Sequence, residues 1–211
     1  MNIIKDLQSF GVVPVVAIKD EKDAIPLAEA LIGGGLPCAE ITFRTDAAEE
    51  SIRMISKRYP EMKVAAGTVL SAEQADRAFS AGATLIVSPG LNPTVVTHCL
   101  KNGYPVIPGV VTPTEIELAM SFGLEYLKFF PAEAAGGIKM IKAMSAPYSG
   151  VKFMPTGGIN RDNLKEYLSF QKVFACGGSW MVKSDMISAG EFKRITELTS
   201  EAVAAVKEIR G

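Results

Sequence analysis

Short apolar runs recur along the chain and alternate with stretches whose apolar positions repeat at helical spacing. Residues 12–18, 39–43, 63–67, 85–88, 106–108, 126–130, 152–155 and 172–175 each read as a strand bounded by turn residues. Their starts recur every ~20–27 residues, the spacing required when each strand is followed by one helix and two short loops. The intervening segments carry helix signals. Ser71-Ala72-Glu73-Gln74 reads as a cap entering a helix that stops at Gly82. Thr112-Pro113-Thr114-Glu115 combines a capping threonine, a first-turn proline and a glutamate three residues on. Asn160-Arg161-Asp162-Asn163-Leu164 opens another helix, residues 189–210 form a closing one, and residues 2–10 form an additional helix ahead of the first strand. Gly33-Gly34-Gly35 ends the helix after the first strand and begins a tight turn.

Eight strands in alternation with eight helices predict a (β/α)8 TIM barrel with an extra N-terminal helix, with residues 1–211 forming a single domain. The chain is short for that fold, so its loops must be tight. A doubly wound open sheet is the main competitor. It would use about five or six strands and a glycine-rich fingerprint after the first. Here the first strand runs into Ala17-Ile18-Lys19-Asp20, which is no such fingerprint.

Composition narrows the function. Lys and Arg total 22 against 23 Asp and Glu, spread along the chain, which argues against a dedicated nucleic-acid or acidic-partner surface. The longest apolar runs are far too short to span a bilayer. Met1-Asn2-Ile3-Ile4-Lys5-Asp6 lacks the order of a secretory signal, so a cytoplasmic location is expected. Cys38, Cys99 and Cys176 read as reduced apolar fillers rather than a disulfide framework. The single histidine, His98, leaves too few imidazoles for the usual catalytic metal sites and has no nucleophile elbow beside it, so neither a metal nor another cofactor is expected. It reads as an ordinary helix residue.

Lys128, in Tyr126-Leu127-Lys128-Phe129-Phe130-Pro131, is a lysine inside an otherwise apolar strand. Desolvation favours the neutral amine, and a neutral lysine is a nucleophile towards carbonyl carbon. The alternative is a lysine snorkelling to solvent from a strand edge. Lys63, Lys152 and Lys172 begin their strands, at the bottom rim; Lys128 lies in the second half of its own. Glu40 is likewise a charge among apolar neighbours, and such carboxylates are rare unless paired or functional. By strand parity Glu40, Thr68 and Lys128 are expected to face the barrel axis, although both faces of a barrel strand are buried and parity alone does not choose between them. A structural Glu40–Lys128 ion pair is the alternative to a catalytic one. Met154-Pro155-Thr156-Gly157-Gly158-Ile159 and Cys176-Gly177-Gly178-Ser179-Trp180 end the seventh and eighth strands, where paired glycines allow backbone N–H groups to approach an anion.

Two of these segments resemble a known family. Gly35-Leu36-Pro37-Cys38-Ala39-Glu40-Ile41-Thr42-Phe43-Arg44 is similar to its Gly-x-x-x-x-Glu-(Leu/Ile/Val)-Thr-(Leu/Phe)-Arg pattern, and Gly123-Leu124-Glu125-Tyr126-Leu127-Lys128-Phe129-Phe130-Pro131-Ala132 is similar to its Schiff-base strand. The family is 2-keto-3-deoxy-6-phosphogluconate (KDPG) aldolase, often bifunctional with 4-hydroxy-2-oxoglutarate (KHG) aldolase activity. The resemblance implies that Lys128 forms the iminium and Glu40 moves the protons. It implies that Arg44 and Thr68 bind the α-keto acid carboxylate and that Pro89 lines the pyruvate pocket. Gly157, Gly158 and Ser179 would hold the distal phosphate, with Thr156 and Gly178 beside them. It further implies a small keto-acid phosphate substrate and a homotrimer. The competing readings are an aldolase for the galacto epimer, a metal-free phosphate-binding barrel isomerase or decarboxylase, and a non-catalytic sugar-phosphate-binding module.

Overall fold

The computed structural model describes residues 3–211. Met1 and Asn2, the latter expected to start the first helix, lie outside the described residues. Helix α1 (Ile3–Phe10) leads into strand β1 (Val12–Val16); a 3-10 turn (Glu21–Asp23) and α2 (Ala24–Gly33) follow. The alternation continues through β2 (Cys38–Thr42), α3 (Ala48–Arg58), β3 (Lys63–Gly67), α4 (Ala72–Ser80), β4 (Leu85–Val87) and α5 (Pro93–Lys101). Next come β5 (Val106–Ile107), β6 (Gly109–Val110), α6 (Pro113–Ser121), β7 (Tyr126–Phe129), α7 (Gly137–Ser145) and β8 (Lys152–Pro155). The last elements are α8 (Arg161–Leu168), β9 (Cys176–Gly178), α9 (Ser184–Ser188) and α10 (Phe192–Arg210).

The strands form a curled, parallel six-stranded sheet in the order β5-β4-β3-β2-β1-β9 and a three-stranded sheet, β6-β7-β8. The expected eight-unit alternation is thus carried by an α/β fold with two ladders rather than one. The fifth strand divides at Pro108, which has no N–H to give a ladder; its carbonyl instead accepts from Lys128 N at 2.9 Å. Strands with both faces covered should read as continuous apolar runs. That holds for β4, whose Leu85, Ile86 and Val87 are all buried, whereas β2 is buried at all five residues yet carries Glu40 and Thr42.

Most strand ends fall within a residue of the sequence reading, and the first and last strands differ by more. β1 ends at Val16 because the next carbonyls are taken by side chains: Ser184 Oγ donates to Ala17 O (3.1 Å), and Thr45 donates its hydroxyl to Ile18 O. The last strand lies at Cys176–Gly178 rather than 172–175, paired with β1 as Val12–Cys176, Val13–Gly177 and Pro14–Gly178. Only Val173 of the expected segment makes a bridge, to Phe153. Bare glycines carry no strand signal, so the apolar residues before them drew the boundary.

The caps follow their residue types. Ser71 accepts from Gln74 N at 3.1 Å. Thr112 and Glu115 form a reciprocal capping box, as do Asn160 and Asn163. The final helix starts at Phe192, with the separate α9 before it. Among the described residues no helix is long and apolar enough to cross a membrane. All three cysteines are free and buried. Burial lifts the Cys38 and Cys176 thiols far above their ordinary range and Cys99 to about 11, so none is poised as a thiolate.

The triple glycine separates into distinct roles. Gly33 is the last residue of α2, Gly34 caps it with φ −78°, and Gly35 turns the chain at φ 84°. A Cβ on Gly34 would lie 2.5 Å from Thr199 Cβ of α10, whereas one on Gly33 would meet only Thr196 Cγ2 at 3.7 Å. Gly34→Ala is therefore expected to destabilise the protein by about 1–3 kcal/mol through overpacking. Gly33→Ala should stabilise it by about 0.5–1 kcal/mol through helix propensity. Urea unfolding of both variants checks the opposite signs.

Candidate active site

Glu40 and Lys128 are 88 residues apart in sequence and meet in the interior. Lys128 Nζ donates to Glu40 Oε1 at 2.9 Å. Glu40 is 0% exposed and Lys128 4%. The lysine therefore does not snorkel. Its ammonium also lies 5.4 Å from the Phe130 ring centroid, where the aromatic face attracts a cation. Glu40 Oε2 is buried and has no hydrogen-bond partner among the described residues. An oxygen kept out of water without a donor is costly, and such groups in native folds call for an explanation.

Backbone geometry makes room for the pair. A side chain on Gly67 of β3 would collide with the Glu40 carboxylate. Gly109 of β6 pairs in register with Lys128, and a side chain there would run into the Pro89 carbonyl. Pro89 is thus brought against β6, the neighbour of the lysine strand, in a turn that Ser88 Oγ fixes by donating to Gly90 O at 2.8 Å. Thr68 follows Gly67 and has φ 58°, the left-handed region that a β-branched residue seldom adopts. Such a conformation costs on the order of 1–3 kcal/mol and clusters at functional sites. Arg44 lies just past β2 and is exposed. It lines a hollow of about 250 Å³ with Phe43, Thr45, Asp46, Glu49, Gln74 and Arg77. No hydrogen bond or ion pair joins Arg44 to Glu40 or Lys128.

The glycine loop after β8 adjoins this centre through Phe130, whose Cδ2 would lie 3.5 Å from a Cβ on Gly157. Gly157 and Gly158 have φ 99° and 83°. Their carbonyls are occupied: Gly157 O accepts from Glu133 N at 3.1 Å, and Gly158 O accepts from Asn163 Nδ2 at 3.0 Å. Their N–H groups have no acceptor among the described residues. Thr156 bridges to Gly177 of β9, and its side chain occupies the space a Gly177 side chain would need. The indole of Trp180 fills the equivalent space over Gly178. Ser179, between them, is exposed. Free N–H groups on a loop with its carbonyls turned away suit an anion.

His98 is a helix residue, as expected, with Nε2 2.7 Å from Asp76 Oδ1 on the outside of the fold. The sequence reading brings Glu40 and Lys128 together correctly and gathers the two glycine loops. It misses Gly67, Gly109, Glu133 and Trp180. Glycine inside a strand signals a close approach, which was the available clue for the first two. Glu133 is a loop glutamate with no pattern to mark it.

Comparison with known proteins follows the same lines. The family model of KDPG and KHG aldolase matches residues 3–198. The 2-dehydro-3-deoxy-phosphogluconate aldolase of Treponema pallidum is 48% identical over 206 residues, covering 98% of each chain. The KHG/KDPG aldolase of Escherichia coli K12 is 44% identical over 201 residues, covering 95% of this chain and 94% of its own. The crystal structure of KDPG aldolase from Legionella pneumophila, with pyruvate captured at low pH as a covalent carbinolamine, superposes with a TM-score of 0.92 at 39% identity, over 96% of this chain and 98% of its own. At this similarity across almost its whole length, the chain belongs to the KDPG and KHG aldolase family.

Proposed function

We propose that this protein is a Schiff-base aldolase that cleaves KDPG to pyruvate and glyceraldehyde 3-phosphate, and KHG to pyruvate and glyoxylate. The observation that carries the reading is the buried Lys128–Glu40 contact at 2.9 Å, with Glu40 Oε2 left unpartnered. A lysine can attack a ketone only after giving up a proton, and a carboxylate in hydrogen-bond contact is the base that takes it. The names of the relatives and the carbinolamine in the Legionella enzyme support the same chemistry.

The steps follow from the pair. Lys128 Nζ adds to the C2 ketone, and the carbinolamine loses water to give an iminium. A carboxylate at Glu40 removes the proton from the C4 hydroxyl as the C3–C4 bond breaks. The bonding electrons flow into the iminium, leaving an enamine and a free aldehyde. Glu40 returns its proton to C3, and hydrolysis releases pyruvate and the free lysine. Thr68 and Arg44, past the ends of β3 and β2, are read as holding the substrate carboxylate, with Pro89 lining the pyruvate pocket. Thr156, Gly157, Gly158, Gly178 and Ser179 are read as the seat of the distal phosphate; the unaccepted N–H groups of Gly157 and Gly158 support this.

We also read the two sheets as one closed (β/α)8 barrel. The segment 106–110 pairs with β4 on one side and β7 on the other. The bridges Phe153–Val173 and Thr156–Gly177 join β8 to the segment that pairs with β1.

Incubation with pyruvate and borohydride, followed by peptide mass spectrometry, should place a reduced adduct on Lys128. In Lys128→Ala both trapping and turnover are expected to vanish; substantial aldolase activity in that variant would sink the assignment. Glu40→Gln should lower kcat by about 10²–10⁴-fold, the usual range for a lost general acid or base. Pyruvate binding should survive in that variant. A Glu40→Gln protein that instead unfolds would mark the pair as structural.

A further inference from the structure

The glycine loop after β8 is braced from outside by two side chains to which the mechanism gives no role. Glu133 follows the lysine strand, and its N–H donates to Gly157 O at 3.1 Å. Its Cβ and Cγ lie 2.6 and 2.5 Å from where a Cβ on Gly158 would fall, so its stem rests on the glycine. Its carboxylate accepts the hydroxyl of Tyr167. Tyr167 belongs to α8, the helix that begins just after the loop, and is 1% exposed. Burial, and then the Glu133 carboxylate, push its phenol well above the ordinary range, so the hydroxyl remains a donor. Gly137 leaves room for the bond: at φ 61°, a Cβ there would sit 3.1 Å from Tyr167 Oη and 3.2 Å from Glu133 Oε1.

A peptide between two glycines has wide torsional freedom, and its N–H groups converge on an anion only if something fixes them. Glu133 touches the loop at the carbonyl of one glycine and the α-carbon of the other, and Tyr167 holds Glu133. We infer that Glu133 and Tyr167 are positioning residues that set the orientation of the Gly157–Gly158 peptides, and through it the preference for a phosphorylated over a shorter, unphosphorylated keto acid. The inference rests on the reading of this loop as the phosphate seat. A brace serving only stability would change all substrates alike.

The test compares full-length Tyr167→Phe, Glu133→Gln and Glu133→Ala on KDPG and on KHG, with pyruvate–borohydride trapping as a measure of the lysine end alone. Tyr167→Phe is expected to raise KM for KDPG about tenfold, the scale of one lost hydrogen bond. Its kcat, its kcat/KM for KHG and its trapping rate should stay within about twofold of the parent, as for a group acting on substrate binding alone. Glu133→Gln keeps the acceptor and should behave as the parent, whereas Glu133→Ala should resemble Tyr167→Phe. Glu133 is a surface residue, so Glu133→Ala keeps the question decidable if the buried Phe variant folds poorly. Equal losses on both substrates, or no change on KDPG, would overturn the inference. Inorganic phosphate, tested as a competitor of KDPG, separates the two levels. It should inhibit the parent and inhibit Tyr167→Phe about tenfold more weakly, by the same hydrogen-bond scale. Equal inhibition of both removes the brace alone, whereas no inhibition of the parent removes the phosphate seat and the brace with it.

Discussion

The pairing of Lys128 with Glu40 out of water is the constraint around which the site is arranged. Each ion loses hydration worth several kcal/mol, and their attraction offsets this only with good geometry and further hydrogen bonds. Here one carboxylate oxygen has no donor among the described residues, so an apolar pair of similar volume would serve stability at least as well. The surrounding strands yield to the pair. β3 gives up a side chain at Gly67 so that the carboxylate can lie against the backbone, and β6 gives one up at Gly109, beside Lys128, so that the Pro89 turn can close in. Thr68 is held in a left-handed conformation at the same end of the sheet. The apolar strands and helix faces below, with Phe129 and Phe153 edge to face at 6.5 Å, supply the stability that this end spends.

The two parts of the candidate site are built on different physics. One is an ionic contact in a dry interior, where charge is tolerated because it is paired. The other is a pair of backbone N–H groups, without acceptors among the described residues, on a loop whose carbonyls are engaged elsewhere. Phe130 separates them, with the ammonium over its face and Gly157 against its edge.

Much of this was legible in the sequence because it follows from local chemistry. A lysine late in an apolar strand, a glutamate in another, and Ser71, Thr112 and Asn160 ahead of helical stretches all declare themselves within a few residues. What stayed hidden depends on atoms that are absent or far away. Gly177 and Gly178 look like a turn until Thr156 and Trp180 are seen filling the space above them, which is why the last strand was expected too early. The break at Pro108 follows from the proline's missing N–H, but the partner that takes its carbonyl, Lys128 N of β7, is not announced by residues 106–108. Glu133 and Tyr167 are 34 residues apart, and nothing in either neighbourhood announces the other.

Trp180 is the only tryptophan in the chain, and its ring lies against Gly178 at the surface of the second glycine loop. The protein therefore carries one indole fluorophore, adjacent in sequence to Ser179. Emission excited through the indole arises from this single place, with no other tryptophan to dilute it. The molecule thus has its own optical gauge of the second glycine loop.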